Sequence, residues 1–265
     1  IPLAGLGTRL LPLTSVFAKE LLPINGKPGL EYIIEECIEA GIKEIVFIIS
    51  KKKLMIKKYF YNDKFYKDII KKKNDPKIIK EYKKILKYKK MIKFVFQDKP
   101  LGTGDAVYKT KKFITDKYFL MLLPDDLIIK KNCSKSMIAV HNKFKASVMA
   151  SMKVNKNDVS RWGIYNIRKK IDKNNFIINN VVEKPSIKTS PSNNAVIGRY
   201  ILPKTIFSKL KSLKPGKSGE FHITDAIQAL IEDDNQFIGH NFSGKYLDCG
   251  TMKGYIKSTL EISKQ

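Results

Sequence analysis

The first 49 residues contain a strand–turn–helix–strand pattern that restricts the chain to few folds. A short apolar segment ends at Leu3, and residues 29–41 repeat apolar side chains every three or four positions, as a helix does. Gly41 stands where helix C-termini favour glycine, and the run 44–49 is rich in β-branched residues, typical of a strand buried on both faces. This order predicts a βαβ unit, which requires a parallel sheet and a right-handed crossover.

A glycine-bearing loop follows the first apolar segment and carries residues suited to an anion. Gly5 and Gly7 leave room for backbone N–H groups to close around a phosphate. Arg9 adds a planar fork of donors, and Lys19 supplies a second cation ten residues on. The spacing matches neither a P-loop nor the dinucleotide-binding fingerprint, since position 10 is Leu. Taken alone, the stretch is equally compatible with polyphosphate binding and with an ordinary strand-to-helix turn.

Two acidic residues follow a later strand. The apolar run 118–123 predicts a buried strand, and Pro124, Asp125 and Asp126 come directly after it. Open α/β sheets bind ligands at the carboxyl ends of their parallel strands. Carboxylates beside a polyphosphate site indicate Mg²⁺, whereas a solvated Asp-Asp turn is the alternative interpretation of the same residues.

The remaining pattern alternates helices and strands. Lysine-rich residues 61–92 have apolar side chains at helical spacing, which predicts one or two amphipathic helices at the surface. The run 93–97 predicts a strand, followed by a glycine-bearing turn at 100–107 and a helix that includes Phe113 and Ile114 on its apolar face. The other predicted helices are 136–144, 206–213, 225–232 and the stretch after Thr251; the other predicted strands are 146–154, 162–167, 176–178, 181–185, 195–202, 237–242 and 245–248.

These elements predict an α/β protein with a Rossmann-like, mixed and mainly parallel sheet flanked by helices. From Trp162 onward the strands alternate with short turns, including one at 172–175, so we expect a small antiparallel subregion there. No repeat or long linker divides the 265 residues, which favours a single domain over 1–265 with a substantial core.

The charge of the chain has a compositional explanation. Its 51 Lys and Arg outnumber 25 Asp and Glu, for a net charge of +26, which invites a nucleic-acid or anionic-membrane interpretation. Only four of the basic residues are Arg, however, and Lys, Ile, Asn, Tyr and Phe are all plentiful. This is the bias of an AT-rich genome, so we expect solvated lysines and no nucleic-acid or membrane partner.

Cysteine usage indicates the compartment. Cys37, Cys133 and Cys249 are odd in number and lack Cys-x-x-Cys spacing. They predict neither a disulfide framework nor a structural zinc site, and they suit a reducing cytoplasm. No stretch approaches the ~18–20 apolar residues of a membrane span.

Eight short segments, in register along nearly the whole chain, carry one family's pattern. They are A-G-L-G-T-R-L at 4–10, K-E-L-L-P at 19–23, L-G-T-G-D-A-V at 101–107 after Gln97, L-P-D-D at 123–126, V-E-K-P at 182–185, G-R-Y at 198–200, G-E-F-H-I-T-D-A-I at 219–227 and Y-L-D-C-G-T at 246–251. In these segments the chain resembles the bacterial UTP–glucose-1-phosphate uridylyltransferases, within the sugar-nucleotidyltransferase fold. The stretch 61–92 also resembles an insertion typical of that family.

The resemblance implies a reaction and a catalytic set. UTP and glucose 1-phosphate would give UDP-glucose and pyrophosphate, by in-line attack on the α-phosphorus of UTP. Arg9 and Lys19 would bind the triphosphate and the departing pyrophosphate, and Asp125 with Asp248 would bind Mg²⁺. The implied nucleotide pocket consists of Ala4, Gly5, Leu6, Gly7, Gln97 and Gly102.

The resemblance also implies a sugar side. Lys184 would hold the phosphate of glucose 1-phosphate, and Glu183 would accept hydrogen bonds from sugar hydroxyls, although a surface ion pair is the alternative. Gly163 and Gly198 would let the backbone approach the sugar. Residues 1–130 would then serve mainly the nucleotide, 131–250 mainly the sugar, and 251–265 would form a C-terminal helix that is a candidate contact in a homodimer or homotetramer.

One segment departs from the family pattern. Gly-Leu-Gly-His-Ala is expected where this chain has Gly-Thr-Gly-Asp-Ala at 102–106. Similar turns occur in relatives that use other nucleotides or sugars, so a thymidylyl- or guanylyltransferase remains the alternative, although 61–92 and Gln97 favour UTP. Asp105 is interpreted as a helix cap. Structural roles are assigned to His222 and to Glu220, which borders the site.

Overall fold

The computed structural model describes residues 1–216 and 219–264. Its helices are α1 (Gly29–Glu39), α2 (Leu54–Tyr61), α3 (Asp63–Lys73), α4 (Pro76–Met91), α5 (Gly102–Tyr108), α6 (Cys133–Phe144), α7 (Ile206–Ser212), α8 (Ile223–Glu232) and α9 (Met252–Ile262). Its strands are β1 (Pro23–Ile24), β2 (Lys27–Pro28), β3 (Ile45–Ile49), β4 (Ile92–Phe96), β5 (Tyr118–Leu122), β6 (Asp126–Ile129), β7 (Ser147–Lys153), β8 (Gly163–Lys170), β9 (Asn175–Glu183), β10 (Asn194–Pro203), β11 (Phe237–Asn241) and β12 (Lys245–Asp248).

The βαβ unit at the N-terminus is confirmed. The first segment runs parallel to β3, where Leu3 N donates a hydrogen bond to Ile48 O at 2.7 Å. On its other side β3 pairs in parallel with β4, with Ile45 opposite Ile92. Helix α1 ends before Gly41, whose φ of +84° lies in the left-handed region that favours glycine. The carboxyl ends of these strands therefore lie along one edge.

The larger sheet is more antiparallel than expected. Its strand order is β5-β10-β7-β11-β9-β8, in which only β7 and β11 pair in parallel. The α/β class with mixed sheets is confirmed, but the parallel share is smaller, because β10 lies between β5 and β7 and runs antiparallel to both. A continuous apolar run specifies burial on both faces, but it does not specify the direction of the neighbouring strand.

Helices cover both faces of the larger sheet. On one face Met137 of α6 packs against Val148 and Ile201. On the other face Ile227 of α8 packs in a cluster with Tyr165. The sheet thus forms the middle layer between these helices.

A short two-stranded sheet was not foreseen. The sequence predicts no strand directly after Asp125, yet β6 begins at Asp126 and pairs antiparallel with β12. In this register Asp126 lies opposite Asp248. The pairing brings a residue near the end of the chain beside the acidic residues that follow β5.

The lysine-rich segment is helical, as predicted. Residues 61–92 form mainly α3 and α4, and α2 precedes them. Ile85 and Tyr88 of α4 are buried and belong to the same apolar core as β3. The Asp75 carboxylate accepts a hydrogen bond from Lys77 N at 2.7 Å and caps α4. Helix α4 is therefore part of the apolar core around β3, and its Lys84 lies 2.9 Å from the buried Glu31 carboxylate.

Three predicted helices have the wrong bounds. Helix α5 begins at Gly102, within the predicted turn, and ends at Tyr108, so Phe113 and Ile114 lie beyond it. Helix α6 begins at Cys133 rather than at residue 136, and helix α8 begins at Ile223 rather than at residue 225. Of the helices within 1–216 and 219–264, none has both the length and the apolar character needed to cross a membrane.

Candidate active site

The glycine loop is shaped by its second glycine. Gly7 has φ +69°, and a Cβ there would lie 3.0 Å from Thr14 Cγ2. The Thr14 hydroxyl donates a hydrogen bond to Gly7 O at 2.9 Å and fixes the turn. Around Gly5 nothing lies within 4 Å of the place of a Cβ, so the backbone is open to a ligand on that side.

One cavity gathers the predicted nucleotide residues. It has a volume of about 460 Å³ and lies at the carboxyl ends of the first segment, β4 and β5. Its walls include every residue that was predicted for the nucleotide, together with two of the predicted catalytic residues: Ala4, Gly5, Leu6, Gly7, Lys19, Gln97, Gly102 and Asp125. A larger cavity of about 700 Å³, between Ile1–Pro2 and β5, contains none of the predicted site residues.

Two cations converge on one carboxylate oxygen in this cavity. Lys19 Nζ donates a hydrogen bond to Asp125 Oδ2 at 2.7 Å, and Arg9 Nη2 lies 3.3 Å from the same oxygen. Burial alone would raise the pKa of Asp125, but the charge and hydrogen bond of Lys19, with the charge of Arg9, hold that pKa below its ordinary value. The carboxylate is therefore ionised at neutral pH and its cations are held in place.

A buried ion pair supports Lys19. The next residue, Glu20, accepts hydrogen bonds from Lys53 Nζ at 2.8 Å through both carboxylate oxygens. Burial lowers the pKa of Lys53, although Glu20 opposes this effect. Because Glu20 is anchored on the inner side, the short turn Lys19–Leu21 presents Lys19 to the cavity.

The carboxylates of Asp125 and Asp248 both lie close to Gly250. A Cβ on Gly250 would lie 2.8 Å from Asp125 Oδ2, 2.8 Å from Arg9 Nη2 and 3.1 Å from Asp248 Oδ1. Gly250 N donates a hydrogen bond to Asp248 Oδ1 at 2.8 Å. Within 1–216 and 219–264 no third acidic or other ligating residue joins the pair. Both carboxylates thus approach the same backbone position, and such a donor set fits Mg²⁺, which commonly takes one or two carboxylates together with phosphates and water.

The second aspartate of the Asp125-Asp126 pair serves the fold. Asp126 accepts hydrogen bonds from Tyr246 OH at 2.7 Å and from Gly198 N at 2.8 Å. Burial, followed by the charge of Asp125, raises the pKa of Asp126. The pKa of Asp125 is thus lowered and that of Asp126 is raised. Neither residue belongs to a solvated turn.

Arg199 is the main residue that sequence reasoning missed. It is fully buried and forms a bidentate ion pair with Glu36, with Nη2 2.8 Å from Oε2. It also donates hydrogen bonds to Leu123 O at 3.0 Å and Asp126 O at 2.6 Å, on either side of Asp125. The scarcity of arginine in this chain was the available signal, since each one had a raised chance of a specific role.

The sugar-side residues form a separate group. Gly163 pairs with Glu183 across β8 and β9, and a Cβ on Gly163 would lie 3.0 Å from Glu183 Oε2. Lys184 has φ +46°, its N donates to Trp162 O at 2.9 Å, and its Nζ lies 3.9 Å from Glu183 Oε1. Both charged side chains are largely exposed, and neither lines the nucleotide-side cavity. Their roles toward a sugar phosphate remain predictions.

Gly198 has a packing explanation of its own. A Cβ there would lie 2.5 Å from Asp126 Oδ2 and 2.6 Å from Leu123 Cβ, distances that no side chain tolerates. The glycine lets β10 approach the loop that carries Asp125. Contact between Gly198 and a sugar remains a prediction.

A second group reaches the cavity from the C-terminal half. Phe221 O accepts a hydrogen bond from Gly104 N at 2.7 Å, and Phe221 N donates to Leu101 O at 2.8 Å. A Cβ on Gly102 would lie 2.6 Å from Phe221 O, which explains glycine at the start of α5. Glu220 and His222 consequently line the cavity, although the sequence had favoured structural roles for both. Their position inside a matching motif was the available signal.

Comparison with known proteins identifies the family. A model of the Nucleotidyl transferase family matches residues 3–265, and the chain belongs to this family. A UTP–glucose-1-phosphate uridylyltransferase of Bacillus subtilis is 35% identical over 266 residues, which cover 100% of this chain and 90% of that protein. A UDP-glucose pyrophosphorylase complexed with UDP-glucose has a TM-score of 0.86 at 33% identity, covering 99% of this chain and 97% of the other. A UTP-bound enzyme from Acinetobacter baumannii has a TM-score of 0.88 at 30% identity, covering 98% and 91%.

Proposed function

We propose that this chain transfers a uridylyl group from UTP to glucose 1-phosphate, giving UDP-glucose and pyrophosphate. The observation that carries the proposal is the convergence of Arg9 and Lys19 on Asp125, in a cavity walled by the glycine loop and Gln97. Full-length relatives at about 35% identity carry the name of this reaction.

The reaction requires that the two substrates are positioned for in-line attack and that the negative charge of their phosphates is neutralised. A phosphate oxygen of glucose 1-phosphate attacks the α-phosphorus of UTP, and the bond to the departing pyrophosphate breaks in line. A phosphate monoester with a second pKa of about 6 is already ionised at neutral pH, so no general base is needed. Arg9 and Lys19 stabilise the charge that develops on the leaving pyrophosphate.

The remaining residues hold the two substrates. Gln97 and the backbone of Ala4–Gly7 bind the base and the triphosphate, with Gly102 beside them. Lys184 binds the phosphate of glucose 1-phosphate, and Glu183 binds the sugar hydroxyls. Both side chains are largely exposed and therefore accessible to a substrate.

Asp125 and Asp248 would hold Mg²⁺. An oxygen of each lies within 3.1 Å of the place of a Cβ on Gly250, and this proximity of two carboxylates supports the assignment. A bound Mg²⁺ supplies positive charge to phosphate oxygens as a Lewis acid. Arg9 borders the same space and would meet the phosphates there.

We also propose a cytoplasmic homodimer or homotetramer. Cys37, Cys133 and Cys249 are all free thiols, which suits a reducing compartment. Helix α9 exposes Ile256 and Leu260, each by more than half, and supplies an apolar candidate contact.

The experiment that tests the reaction measures pyrophosphate release. The protein is supplied with glucose 1-phosphate and Mg²⁺, and UTP, dTTP, CTP and GTP are compared. The expected result is release with UTP well above the others. Release with dTTP or GTP instead of UTP would assign the chain to a thymidylyl- or guanylyltransferase. If none of the four nucleotides gave pyrophosphate release, the proposal would be refuted.

A further inference from the structure

The amide of Gln97 is held in one orientation. Its side chain lies among the buried polar groups, directly after β4, and its backbone N donates to Ile49 O at 2.8 Å. Nε2 donates one hydrogen bond to Gly102 O at 3.0 Å and another to Asp105 Oδ2 at 2.8 Å. Both hydrogens of the amide nitrogen are thus used.

The reverse orientation is disfavoured by the same partners. A carbonyl oxygen and an ionised carboxylate oxygen can only accept hydrogen bonds. Rotating the amide would place Oε1 against both of them, so that three acceptors would meet without a donor. The charged partner, Asp105, contributes the stronger of the two constraints, since hydrogen bonds to an ionised group are about twice as strong as neutral ones.

The oxygen of Gln97 remains for the cavity. Among the residues that the structure describes, none donates a hydrogen bond to Oε1, and this atom is not sealed off as a buried unpartnered oxygen. Gln97 lines the cavity beside Ala4 and Gly5. A ligand edge that meets Gln97 therefore finds an acceptor.

We propose that Asp105 is a positioning residue: it holds the Gln97 amide so that Oε1 faces the base. The oriented Oε1 then favours bases that carry a hydrogen on the central ring nitrogen of their pairing edge. This inference rests on the proposed function, in which Gln97 contacts the base. Uracil and thymine carry N3–H and can donate to Oε1. Cytosine has an unprotonated N3, so two acceptors would face each other and CTP is rejected.

The second side of Asp105 offers a matched control. Lys109 Nζ lies 3.7 Å from Oδ1, the carboxylate oxygen that does not contact Gln97. Lys109→Ala removes this outer ion pair and leaves the contact to Nε2 intact. Asp105→Asn is the conservative variant, because its amide oxygen can still accept from Nε2.

The test compares UTP with CTP. For the wild-type protein and each variant, we would measure kcat/KM in pyrophosphate release and, separately, the dissociation constants of both nucleotides by calorimetry without glucose 1-phosphate. The ratio of kcat/KM for UTP to kcat/KM for CTP, and the matching ratio of binding affinities, should each fall at least about tenfold in Asp105→Ala, because one charge-assisted hydrogen bond is lost. It should remain within about threefold of wild type in Asp105→Asn and in Lys109→Ala.

If Asp105 had only a structural role, its replacement would change kcat/KM and affinity by the same factor for UTP and for CTP. If the wild-type protein discriminates and Asp105→Ala keeps the same ratio, the inference is overturned while the proposed function stands. A wild-type protein that binds UTP and CTP equally well would also overturn it. If no nucleotide is turned over, the proposed function fails, and the calorimetric ratio still decides the role of Asp105. Asp105→Ser, whose hydroxyl ends one atom short of the carboxylate oxygens, replaces Asp105→Ala if that variant does not fold.

Discussion

Lys19 Nζ lies 2.7 Å from Asp125 Oδ2, although the two residues are 106 positions apart in the chain. Arg9 reaches the same oxygen, so two cations share one carboxylate. The charge and hydrogen bond of Lys19, with the charge of Arg9, hold the pKa of Asp125 below its ordinary value, so this carboxylate is ionised. The phosphates of a nucleotide then meet cations that need little rearrangement.

Replacing Lys19 tests the cationic part of this arrangement. Lys19→Met should lower kcat by about 10²–10³-fold, because one preorganised charge facing the leaving group is removed. Steady-state pyrophosphate release measures the effect. Lys52→Met, at an exposed lysine outside the cavity, is the control and should match wild type. Equal activity of the two variants would contradict the assignment.

Replacing Asp125 tests the acidic part. Asp125→Asn should lower kcat by about 10³–10⁴-fold, because the proposed Mg²⁺ site keeps only Asp248. Thermal unfolding should show a folded protein with a cooperative transition. Asp98→Asn, at an exposed carboxylate, is expected to retain full activity. An active Asp125→Asn enzyme would remove Asp125 from the metal site.

Lys184 should act on one substrate only. Lys184→Ala should raise the KM for glucose 1-phosphate by about 10–100-fold, the effect of losing a hydrogen bond to a charged group, and leave the KM for UTP unchanged. Initial rates with each substrate varied in turn give both constants. Lys188→Ala, in the following loop, provides the comparison. An unchanged KM for glucose 1-phosphate would move the sugar anchor elsewhere.

Arg199 should matter for stability more than any other arginine. Arg199→Lys keeps the charge but loses the bidentate pair with Glu36 and the bonds to Leu123 O and Asp126 O. The free energy of unfolding, measured in urea, should fall by about 1–3 kcal/mol, because buried acceptors are left without a donor. Arg168→Lys, at an exposed position in β8, should change it by less than about 0.5 kcal/mol. Similar losses in both variants would contradict the role of the buried pair.

His240 should make stability depend on pH. Burial lowers the pKa of His240 below 6.5, although Asp172 opposes this, and its ring contacts Asn175 Oδ1 at 2.8 Å and Ser136 Oγ at 3.2 Å. The unfolded chain therefore takes up a proton at higher pH than the folded protein does. The stability from neutral His240 is full above pH 6.5 and is lost as pH falls through the lower folded pKa.

The comparison with His240→Gln isolates this effect. Urea unfolding at about pH 8 and about pH 5 should show a larger loss of stability in the wild-type protein than in the variant. Equal losses would mean that other groups dominate the pH dependence.

The local sequence pattern was sufficient to predict α1 and β3, which pack in one apolar core. The 3.6-residue period of 29–41 and the unbroken apolar run after it specify α1 and β3, because each buries a face that the other supplies. The same reasoning located the helices of 61–92. It did not foresee β6, since the four residues Asp126–Ile129 are too few to carry a periodicity that distinguishes a strand from a turn.

The sequence by itself determined the α/β class, the glycine loop and the residue types of the candidate site, because these depend on local periodicity and on motifs of adjacent residues. Only the tertiary structure decided which of those residues meet. The β6–β12 pairing brings Asp248 beside Asp125, and Arg199 holds the backbone on either side of Asp125. Asp105, interpreted from the sequence as a helix cap, is a hydrogen-bond partner of Gln97. Contacts of this kind join residues through strand register and side-chain direction, and neither quantity is encoded in the local spacing of a single chain segment.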